Sequence, residues 1–138
     1  MVFESKSPPP ALRALVLLAG RLLAALAFLA VSLGQALHYG DACAAARSLG
    51  MPWADVYVAA ASAMQFAGGL MLGLGWRARL GAAFLSASLL PAVWMFTLPA
   101  ANRLYLAGAL AALGGLMPYL VTGAGPYSLD NLRRVLSK

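Results

Sequence analysis

Four long apolar stretches, parted by short polar or helix-breaking segments, organise the chain. They cover residues 12–37, 53–74, 80–98 and 104–121. Each is near the ~20 residues that a helix needs to cross the hydrocarbon layer of a bilayer. Ala and Leu dominate all of them, which suits a helix. Lipid tolerates no open backbone, and so few segments cannot close a barrel, so helices are the only choice. The seams read "YGDACAAARSLGMP", "GWRAR" and "LPAAN". The last two are so short that the helices they join must run antiparallel. The pattern predicts an all-α membrane protein: one domain over residues 1–138, built as an antiparallel four-transmembrane-helix bundle.

The ends of the chain extend this picture. Residues 1–11 form a polar tail ending near a run of prolines. The apolar stretch after it is too long for the core of a signal peptide, which predicts an anchor that stays. At the other end "GAGP" stops the last helix, because Gly releases it and Pro cannot continue it. Ser128 then suits an N-cap, with Asp130 in the positively polarised first turn. Leu129, Leu132 and Leu136 share a face, so residues 128–137 predict a short C-terminal interfacial helix lying on the membrane surface.

Composition agrees. Hydrophobic residues make up 62% of the 138 residues and charged residues 10%, against roughly 25% charged in a soluble domain. Mean hydropathy is +0.80. The formal net charge is +6, but the basic residues fall between apolar runs and are not interleaved with aromatics. They read as topology signals and lipid contacts, not as a nucleic-acid surface. Lys6, Arg13, Arg77, Arg79, Arg133, Arg134 and Lys138 all fall on one side of a four-span chain. Arg47 and Arg103 share the other with Asp41 and Asp55. Both termini are therefore expected in the cytoplasm of a bacterial-type inner membrane. Trp53 fits an outer aromatic belt, and Trp76 and Tyr119 an inner one.

Candidate chemistry is sparse. The single cysteine, Cys43, excludes an internal disulfide and, lying in a link without an activating base, is expected to be inert. One histidine without cysteine partners leaves no set for a protein-only metal site. There is no HExxH, no nucleophile elbow, no phosphate loop on a strand and no histidine pair for haem. No catalytic residue is assigned. "GGLMLGLG" lies inside a membrane helix, where glycine serves close packing.

Polar residues inside spans are costly and often functional. Arg21, Ser32, Gln35 and His38 fall with Phe28 along one stripe of the first span. Gln65 lies in the second, on a face with Ser62, Gly69 and Gly73. Counting inward from Arg13 and from Trp76 puts Arg21 and Gln65 at similar depths, roughly 12 and 15 Å along the axis. Two readings fit. Arg21, Ser32, Gln35, His38 and Gln65 line a polar cleft for an amphipathic ligand, or they form a packing seam, with Arg21 snorkelling to headgroups and His38 solvated. In the third span Pro91 should loosen a carbonyl, to be satisfied by Ser88 or a neighbouring helix.

Three segments together resemble the DoxX family of small four-helix membrane proteins: "RLLAALAFLAVSLGQALHYG", "SLGMPWADVYVAAASAMQFAGGLMLGLGWRARLGA" and the closing "GAGPYSLD". The resemblance runs in order from Arg21 to Asp130. The family includes the membrane subunit of thiosulfate:quinone oxidoreductase. The resemblance thus implies a membrane component of quinone-linked redox or sulfur-handling chemistry. Quinone would be the electron carrier, since the chain has no intrinsic metal or flavin motif. The implied partners are the lipid bilayer, a larger membrane redox complex or a soluble redox protein. This chain departs from the pattern at Gln35, where relatives often carry Lys, and at Gln65, where they often carry Glu. Losing both charges favours the alternative, a non-catalytic accessory or structural subunit of a larger membrane complex. A small transporter ranks last, for want of an internal repeat.

Overall fold

The computed structural model describes residues 9–96, 103–123, 128 and 135–136. Among these residues there are five helices and no strand: α1 Pro10–Leu37, α2 Tyr39–Ser48, α3 Ala54–Leu74, α4 Ala78–Phe96 and α5 Arg103–Thr122. The long helices fall on the four apolar stretches. α1 and α3 are each long and apolar enough to cross a membrane. α4 and α5 carry shorter apolar runs, Ala78–Pro91 and Leu106–Thr122. Of the expected interfacial helix, only Ser128, Val135 and Leu136 are among the described residues.

The link between α1 and α3 is not a loop, as its glycines suggested, but the helix α2. The break at His38 is local, with backbone angles of φ −116° and ψ 44°. α2 lays Cys43 and Ala46 against Ala54 and Val58 of α3.

α1 packs on α3, α3 on α4 and α4 on α5. Cross-helix pairs fix the register. Ser62 meets Gln35, Gly69 meets Leu29, and Gly73 meets Ala25, so α3 descends as α1 rises. Tyr57 meets Ser88 and Gly68 meets Gly81, which does the same for α3 and α4. The glycines on both faces of α3 let two neighbours approach closely. The α3–α4 reversal is built by Gly75 in the left-handed region, φ 68°. Its N–H donates to the Leu72 carbonyl and that of Trp76 to the Met71 carbonyl, the paired closure typical of a glycine-ended helix.

The core joins Phe28, Leu72, Ala78, Ala82, Leu85, Leu116 and Tyr119. Tyr119 belongs here, not to an aromatic belt: it is buried, and its hydroxyl donates to the Leu17 carbonyl at 3.2 Å. The outside is apolar. Leu23 is 69% exposed and Leu26 64%, a surface that suits lipid and not water.

Pro91 sits inside a continuous α4. Ser88 does not serve the carbonyl Pro91 displaces, because its hydroxyl donates to Leu85 O at 2.8 Å. On the neighbouring helix Tyr57 donates to Ser88 O at 3.2 Å, one residue beyond the carbonyl that Pro91 leaves.

Candidate functional site

A cavity of about 800 Å³ opens between α1, α3, α4 and α5, with α2 as its roof. Its walls are mostly apolar, including Phe28, Val31, Val58, Ala61, Leu89 and Ala112. Gln35, Ser48, Tyr57, Gln65 and Ser88 supply the polar side chains. Size and lining fall within the usual range for small-molecule sites, roughly 300–1,000 Å³. Gly108 forms part of the α5 wall, and a side chain added there would meet nothing within 4 Å.

Gln65 carries the polarity deepest. It lies midway along α3, roughly 15 Å from Gly75, and is 6% exposed. Its Oε1 has no hydrogen-bond partner among the described residues. Leaving a buried acceptor unmet costs about 1–3 kcal/mol; this oxygen is closed to the cavity, which meets other atoms of the Gln65 side chain. Gln35, half-buried, accepts the Ser62 hydroxyl at 2.7 Å through its Oε1. That bond ties α1 to α3 and fixes the Gln35 amide at the cavity wall.

The other candidate residues do not join them. Ser32 is buried, but its hydroxyl donates to Leu29 O of its own helix at 2.9 Å, and it does not line the cavity. His38 is exposed at the α1–α2 break. Arg21 is 3% exposed, so it faces inward and does not snorkel. Its depth differs from that read off the sequence. Its Nη1 lies 2.8 Å from the place a Cβ on Gly75 would take, at the α3–α4 turn and not at Gln65. The reason is overhang: α1 has 28 residues and α3 has 21, and the pairing of Ala25 with Gly73 sets Arg21, not Arg13, level with the turn.

At that turn three distant parts of the chain meet. Ser128 also lies against Gly75, its Cβ 2.7 Å from the added-Cβ position. The negative end of the α3 dipole points here, which favours the Arg21 charge. Arg79 donates to Val121 O at 3.0 Å and so secures α5 beside the same turn.

Tyr57 and Ser88 of the cavity, and the whole α2 roof, are not apparent in the sequence. The roof is held by one face of α2. Tyr39 donates to Asp55 O at 2.7 Å. Arg47 reaches both carboxylate oxygens of Asp55, at 2.7 and 2.5 Å. Cys43 lies between them, buried. Burial, and then a hydrogen bond to Asp55, push its thiol pKa above the ordinary value. The hydrogen bond with Cys43 is likewise the largest cause raising Tyr39. A thiol held protonated is a poor nucleophile. Among the described residues no group of His, Cys, Asp or Glu gathers that could hold a metal.

Apolar outer surface, small-residue helix seams and a roofed cavity with a buried amide define a helical membrane protein. Residues 16–98 match the model of the DoxX family, more than half of the chain, and the protein belongs to that family. No curated protein and no solved structure matches it.

Proposed function

We propose that the four long helices each cross a bacterial-type inner membrane as an antiparallel bundle with both termini in the cytoplasm, and that the cavity holds a quinone. The protein then acts as the membrane component of quinone-linked redox or sulfur-handling chemistry. The observation that carries this reading is Gln65: a buried amide at mid-depth in the lining of a mostly apolar cavity of about 800 Å³. An apolar volume with one or two convergent polar groups suits a polar headgroup on a greasy tail.

Quinone would supply the electron and proton carrying that the side chains lack. The chain's own residues bind and orient. Gln65 offers its amide to the headgroup. Phe28, Val58 and Ala61 supply apolar walls, and α2 keeps water out from above. Electrons would come from a partner, a soluble redox protein or a larger membrane complex.

The test is equilibrium binding of a short-chain benzoquinone and its reduced form to the purified protein and to Gln65→Leu. Binding weakened about tenfold or more in the variant, as loss of a buried hydrogen bond implies, supports the site. Equal affinities in the two proteins would remove it.

A second reading, a non-catalytic accessory subunit, draws on one observation. Among the described residues the buried polar side chains are Arg21, Ser32, Gln65 and Ser88, a set without an acid to relay protons. Co-purification with larger subunits and no quinone in this chain would favour it.

A further inference from the structure

We infer that the cavity opens sideways into the bilayer, between α1 and α5, and that its ligand keeps an apolar tail in that mouth. This rests on the reading of the cavity as a quinone site and adds a route and an orientation to it.

The lining divides by burial. α3 and α4 make a closed back wall, where Val58, Ala61, Gln65 and Ser88 are buried. α1 and α5 make the open side. Ala27, Val31 and Gly108 line the cavity and are also exposed on the outer surface, Val31 to 49%. Residues that face both mark an opening. α2 is its upper lip, held down by Arg47 and Tyr39 on Asp55.

The packing gives the same opening. α1 packs closely on α3, and α5 on α4, but α1 and α5 touch little. Tyr119 pins them at one level: its hydroxyl donates to Leu17 O and lies 2.8 Å from the place a Cβ on Gly20 would take. Ala27 and Ala112 are each seven residues farther along, roughly 10 Å from that pin. Gly108 is a further turn out, where an added side chain would meet nothing within 4 Å. In α3 glycine brings helices together. Here, among the described residues, it leaves a gap.

The surface around the mouth is apolar: Leu26 is 64% exposed and Leu110 51%. In a bundle that crosses the bilayer, such a surface meets acyl chains and not water. A headgroup beside the Gln65 side chain, under α2, then has its tail leading out between α1 and α5. The ligand class is an amphiphile already dissolved in the bilayer, taken up without passing through water.

The experiment places the protein in phosphatidylcholine vesicles with a benzoquinone whose ten-carbon tail ends in a diazirine. On irradiation the diazirine loses nitrogen, and the carbene inserts into C–H bonds where the tail lies. Peptide mass spectrometry locates the insertion, and excess untagged quinone of the same tail length competes for the site. The expected result is that the labels the competitor suppresses fall on α1 around Ala27 and Val31 and on α5 around Gly108 and Ala112. Val31→Trp narrows the mouth and should lose them. Leu23→Trp, exposed on the same helix but outside the cavity lining, should keep them. Suppressible labels confined to α2 or to the α3–α4 wall, or kept in full by Val31→Trp, would overturn the mouth and leave the quinone site standing. Labelling that the competitor never reduces would overturn the site and the mouth with it.

Discussion

Gly68 in α3 and Gly81 in α4 each stand against the other's carbonyl oxygen: a Cβ on either would come within 2.9 Å of it. The two helices therefore touch backbone to backbone, and nothing flexible lies between them at that point. At Gly81 an added methyl would also meet Met71 Cβ at 3.0 Å and Leu72 N at 3.1 Å. Gly81→Ala is expected to force the hairpin apart and cost about 1–3 kcal/mol, the scale of overpacking. Gly114→Ala is the control, since a Cβ there meets nothing within 4 Å. It should be neutral or slightly stabilising, because Ala favours helix over Gly by about 1 kcal/mol. Thermal unfolding in detergent measures both. A Gly81→Ala protein as stable as Gly114→Ala would refute the close contact.

Arg21 makes a second case. Its guanidinium sits at the carboxyl end of α3, beside a glycine in the left-handed region. Arg21→Leu removes the charge that this helix end favours, worth up to about 2 kcal/mol in a partly buried setting. Arg21→Lys keeps the charge but not the planar fork, so it should recover only part of the loss. Trypsin cleavage after Arg77, in the exposed turn, should quicken in the order wild type, Lys, Leu. Identical cleavage rates would mean that Arg21 does not secure the turn.

The cavity can be closed without touching its polar groups. Gly108 faces open space on the α5 wall, so Gly108→Leu should fold normally and fill part of the volume. Ligand binding should fall by tenfold or more while the unfolding temperature holds or rises. Unchanged binding in a folded Gly108→Leu protein would place the ligand elsewhere.

Cys43 gives a pH prediction. Its thiol pKa lies above the usual ~8.5, chiefly through burial. The folded state thus holds the proton more tightly than the unfolded chain. The contribution to stability is complete below the ordinary thiol value and is lost as pH rises through the raised one. Maleimide labelling should be slow at neutral pH in the native protein, with a midpoint displaced to higher pH than in the unfolded chain. A native midpoint at or below the unfolded one would contradict the buried, hydrogen-bonded thiol.

The long helices were legible because apolar runs of that length have one solvent in which they make sense. Gln35 and Gln65 were legible for the same reason: an amide among so many Leu and Ala side chains stands out. Tyr57 and Ser88 were not, since they meet only through the α3–α4 register, which Gly68 and Gly81 set by contact. α2 was hidden by its mild composition and flanking glycines. Yet Tyr39, Cys43 and Arg47 at four-residue spacing already marked one helical face. Arg21 was read at the wrong depth because α1 overhangs α3, and the overhang is fixed by Ala25 seating against Gly69 and Gly73.

The most direct test of the cavity as a ligand site is gentle extraction of the protein from native membranes, followed by mass spectrometry of the lipids, quinones and proteins retained. The expected result is near-stoichiometric quinone that is lost from Gln65→Leu and Gly108→Leu. Protein that emerges folded and free of quinone, or that keeps the same quinone in both variants, would contradict it.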